Sequence, residues 1–390
     1  MAPRVVIIGA GIAGLTTALE LHRAGYEDIT VLEQHGPGYG SSGKSAGVVE
    51  TQYLDRAGIH VRDFGLRFFE DFAREHGGTL VRSGYLRLGA STDDLEMFQH
   101  SVEIQQEFGI TDPVVLTADE IAARWPRLIL EDRPGGVFGP SDGHIDSYEF
   151  CLRAAAVLVT RGVVVHNGVK VLAAEQTPTG GWCITTTNRQ ISADVVVNAA
   201  GPWAQQIGRL FGAEMPLNNQ LRPKVKLTHE EELDPLLPFV MDYVPGSGRD
   251  GVYFRSETAN EIFIGIHTDE SLLEEQDPER PLEEAPQEFI DRALQLLPTR
   301  LHCPRGLRLG RTWTGLYPIS PDNKPIVDIH PDAPNVIHVM GAGGSGIQLA
   351  PAMARMAAEL ATTGATQSFP ETNWSLSRLH GNDHLQSTSR

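Results

Sequence analysis

The sequence predicts a fold of mixed α/β and α+β class, in which an α/β domain with a parallel sheet is interleaved with a domain carrying a mixed β-sheet. A β-α-β unit opens the chain, a second glycine loop runs into a helix near its end, and polar strands with acidic, Pro-rich linkers fill the region between. The predicted ranges are 1–84, 141–215 and 305–365 for the first domain, 85–140 and 216–304 for the second, and 366–390 for a flexible tail.

The opening unit follows from its hydrophobic pattern. Residues 4–8 form a continuous apolar run, as expected for a buried parallel strand. A helix is predicted over 12–24, because Ile12, Leu15 and Leu19 fall on one face and Gly25 suits its C-terminal cap. Residues 29–33 form the next strand.

The later elements are predicted in the same way, with Asp146 as the N-cap of one helix. The predicted helices cover 62–76, 95–108, 118–125, 147–160 and 347–361. The predicted strands cover 163–166, 169–176, 182–187, 195–198, 221–227, 252–255, 261–267 and 336–340.

Composition excludes several classes of partner. The formal net charge is −18, which disfavours nucleic acid and anionic membrane surfaces, since both carry the same sign. The three cysteines are widely spaced, so neither a disulfide framework nor a metal site is expected. No leader segment and no membrane-spanning apolar run are recognised, and the cytoplasm is the expected location. The oligomeric state stays open.

The strongest motif is Gly9-x-Gly11-x-x-Gly14 between the first strand and the first helix. Such glycines permit a tight turn and close approach of the backbone to a pyrophosphate, which the helix N-terminus stabilises. Glu33 ends the next strand, where an acid accepts hydrogen bonds from ribose hydroxyls. The order of these elements predicts dinucleotide binding, with FAD or NAD favoured over NADP.

A second glycine loop, residues 341–346, precedes the last predicted helix. A helix N-terminus stabilises negative charge, which suits the pyrimidine end of a reduced flavin, although the same glycines also suit an ordinary loop. A third segment, 195–203, is an apolar strand that stops at Asn198 and turns at Gly201. Taken alone, it is better explained as a plain strand end with an ordinary turn.

Together these blocks resemble the D-amino-acid oxidase superfamily, and the glycine-serine and Gly-Leu-Tyr segments are most similar to its sarcosine oxidase and dimethylglycine dehydrogenase branch. The blocks keep the family order and span nearly the whole chain. They are residues 9–14 with Glu33, 40–47, 142–146, 197–203, 315–322 and 341–351.

The resemblance implies a Rossmann-like, glutathione-reductase-like domain that binds FAD non-covalently, with the mixed sheet covering the substrate over the flavin. The residues it places at the cofactor are Gly9, Gly11, Ile12, Ala13, Gly14, Glu33, Gln34, Ser41, Ser42, Lys44, Ser45, Ala46, Gly47, Val169, Ala200, Gly201, Trp203, Gly315, Gly341, Gly343, Gly344, Ser345, Gly346, Ile347 and Gln348.

The resemblance also implies the reaction: hydride passes from a C–H beside an amine nitrogen to FAD, leaving an imine. The substrate is then a small amine or N-substituted amino acid, and oxygen or another acceptor takes the electrons. The residues expected at the substrate are Tyr317, Tyr253, Arg255, Glu50 and Lys44.

The chain departs from the family pattern where relatives bind a substrate carboxylate. Glu50, Gln348 and Tyr317 stand at positions where relatives carry Arg or Lys. Arg255, two residues after Tyr253 on a predicted strand, is the candidate replacement, and Glu50 raises the hypothesis of a second cationic group on the substrate.

Two further departures concern the flavin. Phe263 stands where some oxidases carry a Lys that promotes reaction with oxygen, which puts rapid oxygen use in doubt. Neither Cys303 nor His35 stands where relatives attach the flavin covalently.

Three alternatives remain open at this stage. A flavoenzyme for 2-hydroxy acids would need a base for the hydroxyl proton, with His144 and His267 as candidates, although capping or packing explains His144 better. An NAD-dependent dehydrogenase is disfavoured by the second glycine loop. A scaffold, or the flavin subunit of a larger complex, is the third.

Overall fold

A computed structural model describes residues 3–78, 80–244, 251–267, 275–280 and 284–379. The helices among these residues are α1 Ile12–Arg23, α2 Arg56–His76, α3 Thr92–Glu107, α4 Ala118–Arg124, α5 Ser147–Thr160, α6 Ala204–Leu210, α7 Gln287–Leu296 and α8 Gly346–Thr363.

The strands are β1 Val5–Ile8, β2 Ile29–Glu33, β3 Val48–Val49, β4 Leu80–Val81, β5 Tyr85–Gly89, β6 Val114–Thr117, β7 Gly135–Gly139, β8 Gly143–Ile145, β9 Val164–Asn167, β10 Val171–Gln176, β11 Trp182–Thr186, β12 Gln190–Ala193, β13 Val195–Asn198, β14 Asn218–Thr228, β15 Phe239–Met241, β16 Gly251–Thr258, β17 Glu261–His267, β18 Arg308–Ile319, β19 Ile326–Ile329 and β20 Val336–Met340.

A six-stranded sheet joins the two ends of the chain, in the order β19-β20-β13-β1-β2-β9. All neighbours are parallel except β19 and β20. The strand β1 is buried on both faces, which explains its uninterrupted apolar run. Helices α1, α5 and α8 cover one face, and β10, β11 and α6 cover the other. This sheet brings the starts of α1 and α8 to the same edge.

An eight-stranded mixed sheet, ordered β18-β14-β17-β16-β15-β5-β7-β6, forms the second layer. One face is apolar and packs against α4 and α7, with Val225, Phe254 and Ile264 at its centre. Because side chains alternate along a strand, the neighbouring residues point to the opposite face. That opposite face is aromatic and basic, and we call it the site face: it carries Tyr85, Arg87, Lys224, Phe239, Tyr253, Arg255, Phe263, Trp313 and Tyr317.

Two three-stranded sheets complete the fold, β10-β11-β12 and β3-β8-β4. We call residues 36–47 the glycine-serine loop. In the second of these sheets, Val48 pairs with His144, which fixes the chain that follows this loop.

The predicted helices and strands are confirmed, with shifted ends. The helix predicted over 62–76 begins at Arg56, because the Asp55 side chain accepts from the Gly58 N–H at 2.8 Å and caps it. Asp146 caps α5 as predicted, accepting from the Glu149 N–H. Strands β3 to β8, β12, β15, β18 and β19 and helices α6 and α7 were not predicted.

The pairing of one strand disagrees with the predicted domain ranges. Strand β18 falls within the predicted range 305–365, yet it pairs with β14 in the mixed sheet, from Asn218 opposite Ile319 to Thr228 opposite Arg308. The division into domains otherwise stays a prediction.

The prediction of a flexible tail from residue 366 is wrong for residues 366–379. Phe369, Trp374 and Leu379 are buried against the six-stranded sheet, and Arg378 pairs with Asp322. Sparse apolar residues in a polar segment gave no periodic signal. Residues 380–390 lie outside the described residues. Within the described ranges, no helix is both long and apolar enough to cross a membrane.

Candidate functional site

A cavity of about 370 Å³ lies at the edge of the six-stranded sheet, between the first turns of α1 and α8. Its wall includes Gly9 and Gly11 from the first glycine loop and Gly343 and Gly346 from the second. The two ends of the sequence therefore meet around one space.

The first loop requires glycine at specific positions. Gly9 has φ +109°, and a Cβ there would lie 2.5 Å from the Ala199 oxygen. A Cβ on Gly14 would lie 1.9 Å from the Gly9 oxygen, so this glycine lets α1 pack on β1. Gly14 does not line the cavity, which separates its packing role from the close approach that Gly9 and Gly11 provide.

Side chains from distant segments hold this loop. Ser42 accepts from the Ile12 N–H at 3.0 Å and so caps α1 from the glycine-serine loop. The Glu33 carboxylate accepts from the N–H groups of Ala10 and His35, each at 2.8 Å. Glu33 is thereby fixed on the cavity wall, next to Gln34.

At the other end of the cavity, Tyr317 on β18 meets the second glycine loop. A Cβ on Gly344 would lie 2.9 Å from the Tyr317 ring, so only glycine leaves room for this contact. Helix α8 starts at Gly346 without a side-chain cap at Ser345 and without an acidic residue in its first turn. No residue of the helix itself therefore competes for its first N–H groups or opposes its dipole at the cavity wall.

The residues present fit a dinucleotide. The Trp203 indole N–H is buried, lines the cavity and has no partner among the described residues, and Gly40 leaves space beneath its ring. A buried donor without an acceptor is costly unless a ligand completes it. Two helix N-termini and glycine-lined walls provide the environment that phosphates and a flavin require.

Most of the predicted cofactor residues lie on the cavity wall: Gly9, Gly11, Ile12, Ala13, Glu33, Gln34, Ser41, Ser42, Ser45, Val169, Ala200, Gly201, Trp203, Gly341, Gly343, Gly344, Gly346 and Ile347. The others lie behind it: Gly14, Lys44, Ala46, Gly47, Gly315, Ser345 and Gln348. Gly47, with φ +68°, packs against the Ile145 oxygen, and Gly315 packs against Lys44.

The cavity wall also includes residues that sequence reasoning missed, among them Tyr39, Gln206 and Leu210. Tyr39 is in the glycine-serine loop and could have been included with it. Gln206 and Leu210 lie on the short helix α6, where no local pattern marks them.

Glu50 is buried and paired with a cation of this chain. Its Oε1 accepts from Arg62 at 3.2 Å and from the Gln348 amide at 3.4 Å, while Oε2 has no partner among the described residues. Arg62 also donates to Ser345. Glu50 therefore links α2 to the second glycine loop, and the substrate cation expected from the sequence would compete with Arg62.

Arg255 does not present an open guanidinium. It pairs with Glu257 and donates to the Ala46 carbonyl at 2.6 Å, and burial lowers its pKa while Glu257 opposes that shift. Its predicted role as the substrate carboxylate ligand is therefore not supported by the geometry. It holds the glycine-serine loop instead.

Tyr253 and Tyr317 lie together on the site face, with a lysine that sequence reasoning missed. The Lys224 amine lies 5.7 Å from the Tyr253 ring centre and 5.4 Å from that of Tyr317. Burial lowers the pKa of Lys224 and raises the pKa of both tyrosines, with Lys224 opposing the shift of Tyr317. No local signal singled out Lys224, because its neighbours come from β16 and β18.

Lys44 lies close to the cavity but does not line it. Its amine is 5.8 Å from the Tyr39 ring centre, and burial lowers its pKa. Its backbone oxygen accepts from the Trp313 indole at 3.0 Å. The clearest contribution of this residue is that attachment of the loop to β18.

The chain matches the family described as FAD dependent oxidoreductase (DAO) over residues 4–360. Dimethylglycine dehydrogenase, mitochondrial, of Rattus norvegicus is 27% identical over 261 residues, covering 64% of this chain and 30% of that protein. The chain thus spans about a third of this relative.

Two further matches extend over nearly the full length. Glycine oxidase of Geobacillus kaustophilus (strain HTA426) is 23% identical over 389 residues, covering 97% of each chain. The crystal structure of L-proline dehydrogenase from P. horikoshii superposes with a TM-score of 0.82 and 25% identity, covering 94% of this chain and 95% of that one.

Proposed function

The chain belongs to the FAD dependent oxidoreductase (DAO) family, and on that premise we propose that it oxidises an amine or N-substituted amino acid at its C–N bond. One observation carries the proposal: Tyr317 lies on the FAD cavity wall and also on the aromatic, basic face of the mixed sheet. A substrate held on that face would meet the flavin end of the cofactor.

When bound, FAD would supply the acceptor for a hydride from the carbon beside a neutral amine nitrogen; the iminium product would lose a proton to give an imine that water hydrolyses. The first glycine loop and α1 would hold its pyrophosphate, Glu33 its ribose, and the second loop its flavin. We read the six-stranded sheet with β10–β12 as the glutathione-reductase-like form of the Rossmann fold.

Binding would be non-covalent. Cys303 packs with the apolar core on the far face of the mixed sheet, and His35 stacks on Tyr39 at 3.9 Å between ring centres. Neither residue lines the cavity. Protein precipitated with acid should therefore release its flavin to the supernatant.

The chain's own residues would position the substrate and exclude water from it. The column Tyr85, Phe239, Tyr253 and Phe263 forms a buried aromatic surface, with ring centres 5.2–6.1 Å apart. Because burial raises the pKa of Tyr253, its phenol stays protonated and can donate a hydrogen bond to a substrate. An apolar surface with fixed donors favours a neutral amine over its charged form.

Oxidation of a hydroxy acid is disfavoured because the candidate bases are badly placed. Burial lowers the pKa of His144 to about 3, and its ring contacts Ser83 rather than the cavity. His267 is exposed and stacks near Tyr243. C–O oxidation needs a base for the hydroxyl proton, whereas a neutral amine needs none.

A residue of the same aromatic surface bears on which electron acceptor reoxidises the flavin. Phe263 is buried between Arg255 and Trp313 and supplies no cation to the flavin. We therefore propose that an acceptor other than oxygen reoxidises the enzyme fastest.

Anaerobic titration tests the proposal. N-methyl amino acids, primary amino acids and 2-hydroxy acids would each be added to the purified flavoprotein while its absorbance is recorded. Bleaching by an amine or amino acid, but not by its hydroxy analogue, is expected. Bleaching by the hydroxy acids alone would contradict the proposal. Reoxidation with air or with a dye then compares acceptors.

A further inference from the structure

Two buried cations on the site face have no carboxylate partner among the described residues. Among all the residues that the structure describes, five Lys or Arg side chains are buried: Arg62, Arg87, Lys224, Arg255 and Arg300. Arg62, Arg255 and Arg300 each pair with a carboxylate of the chain. Lys224 and Arg87 form no such pair.

Lys224 is fully buried, and its neighbours among the described residues do not neutralise its charge. Its amine is 3.4 Å from the Pro223 carbonyl and otherwise faces the rings of Tyr253 and Tyr317. Arg222, on the same strand two residues earlier, lies 5.4 Å from the Tyr317 ring centre and adds positive charge. A charge removed from water without a counter-ion is strongly unfavourable, so a bound anion is the expected complement.

Arg87 is the second such group. It donates to the Tyr243 carbonyl at 3.0 Å and to the Tyr85 hydroxyl at 3.2 Å, while its Nε–H has no partner among the described residues. Carbonyl and hydroxyl oxygens leave its charge uncompensated.

The strand register places the two cations at the ends of one row. Arg87 pairs with Met241, Met241 with Tyr253, and Tyr253 with Gly265. Because Val225 pairs with Ile264, the preceding Lys224 stands opposite Gly265. Directly paired residues point to the same face, so all five side-chain positions share the site face.

Gly265 makes room for the Tyr253 ring at the centre of this row. A Cβ there would lie 2.1 Å from the Tyr253 ring, so the ring leans over the glycine towards Lys224. Strands lie about 4.8 Å apart, so the four steps from β5 to β14 put the two Cα atoms roughly 19 Å apart. Because Lys and Arg side chains are long, a ligand that contacts both of them needs only the length of a short chain with an anion at each end.

We propose that the substrate is a dicarboxylic amine or amino acid, with one carboxylate bound by Lys224 and Arg222 and the other by Arg87. This proposal names the substrate class of the proposed function. It rests on that function for one point: that the site face of the mixed sheet is the face turned towards the flavin. Lys224 and Arg222 take over the role that relatives assign to other positions, and Arg87 adds the second contact. Glu50 is already paired with Arg62, so this proposal needs no second cationic group on the substrate to complement it.

Ligand binding without turnover tests this directly. Propionate, succinate and glutarate would be titrated into the oxidised holoenzyme, and dissociation constants read from the perturbed flavin spectrum. The native enzyme should bind succinate or glutarate at least about tenfold more tightly than propionate, a gain of about 1.4 kcal/mol. Equal affinity for propionate and both dicarboxylates would overturn the proposal, whether or not amines reduce the flavin.

Variants then assign each cation. Lys224→Met should weaken all three ligands about tenfold or more. Arg87→Met should remove the advantage of the dicarboxylates and leave propionate unchanged, and Arg87→Lys should restore part of it. Lys226→Met is the matched control, because Lys226 lies on the same strand and pairs with Glu261. If Arg87→Met lost affinity for propionate and for glutarate equally, the contact between Arg87 and the second carboxylate would be overturned. The FAD content of each variant verifies that it is folded.

Discussion

Arg255 donates from its Nη1 to the carbonyl oxygen of Ala46 at 2.6 Å, which joins the mixed sheet to the loop beside the FAD cavity. Glu257 holds the same guanidinium in place. A residue that looked like a substrate ligand from its strand position is therefore a positioning residue for the cofactor loop.

Arg255→Met should weaken FAD binding more than substrate binding, because the glycine-serine loop loses its attachment. Breaking a buried ion pair costs roughly 3–5 kcal/mol. Glu257 keeps 23% of its side chain exposed, so about 2 kcal/mol of unfolding free energy is expected to be lost. FAD titration and denaturant unfolding measure both quantities. Arg311→Met, at an exposed arginine of β18, is the control and should leave FAD affinity unchanged. An unchanged FAD affinity in Arg255→Met would refute the role of Arg255 in holding the loop.

Carboxylate binding should weaken as pH rises. Burial lowers the pKa of Lys224 below its ordinary value, and neighbouring Arg222 adds to that shift while Tyr317 opposes it; Tyr253 is the other titratable neighbour. The protonated amine binds the anion, so affinity is full below the depressed pKa and falls about tenfold per pH unit above it. Glutarate titrations from pH 6 to 10 check this, and Lys224→Met should remove the dependence. A pH-independent affinity in the native enzyme would contradict the assignment.

The same depressed pKa affects stability in a defined direction. Between the folded pKa of Lys224 and its unfolded value, the unfolded state binds more protons, so stability should rise with pH in that window. At pH values below that window, the Lys224→Met variant should be more stable than the native chain. Across the window, the stability of the variant should not rise with pH as that of the native chain does. Denaturant midpoints at several pH values compare the two proteins. A native chain that is the more stable of the two at neutral pH would argue against an unpaired buried charge.

His144→Gln should leave the pH profile of flavin reduction unchanged between pH 5 and 9. With its pKa lowered to about 3 by burial, His144 is neutral throughout that range. Stopped-flow rates of reduction by the best amine substrate measure the profile. Loss of a titrating limb in the variant would assign His144 the proton-transfer role that the structure denies it.

The segment 366–379 should contribute to stability. Trp374 is buried, and its carbonyl accepts from the Val327 N–H at 2.9 Å. Trp374→Ala should lower the unfolding free energy by about 3 kcal/mol, as large-to-small changes at buried aromatic sites do. Thr366→Ala, at an exposed position, is the control. Equal denaturant midpoints for the two variants would restore the flexible tail predicted from sequence.

Sequence reasoning succeeded where the signal is local. Gly9 and Gly14 follow a buried strand and precede a helix, so the turn and the packing contact can be read from consecutive residues. The second loop could not be assigned to the cavity from local sequence alone. Gly341 to Gly346 reach the cavity because β20 pairs with β13, which in turn pairs with β1.

The rest depends on contacts between residues distant in sequence. Pro134, Gly135 and Gly136 are of residue types that are typical of loops. In the structure, Gly135 and Gly136 belong to β7, where a Cβ would lie 2.1–2.4 Å from neighbouring backbone oxygens. Lys224 was overlooked for the same reason, since its isolation from carboxylates emerges only from the pairing of β14 with β17 and β18.

The central claim is that both glycine loops hold one FAD, and a pair of matched variants tests it. Gly11 and Gly346 both line the cavity with ordinary negative φ, and a Cβ at either meets nothing nearer than 3.2 Å. Gly11→Val and Gly346→Val should therefore fold and each weaken FAD binding about tenfold or more, measured by titrating apoprotein. Native FAD affinity in Gly346→Val, with Gly11→Val impaired, would contradict a shared site.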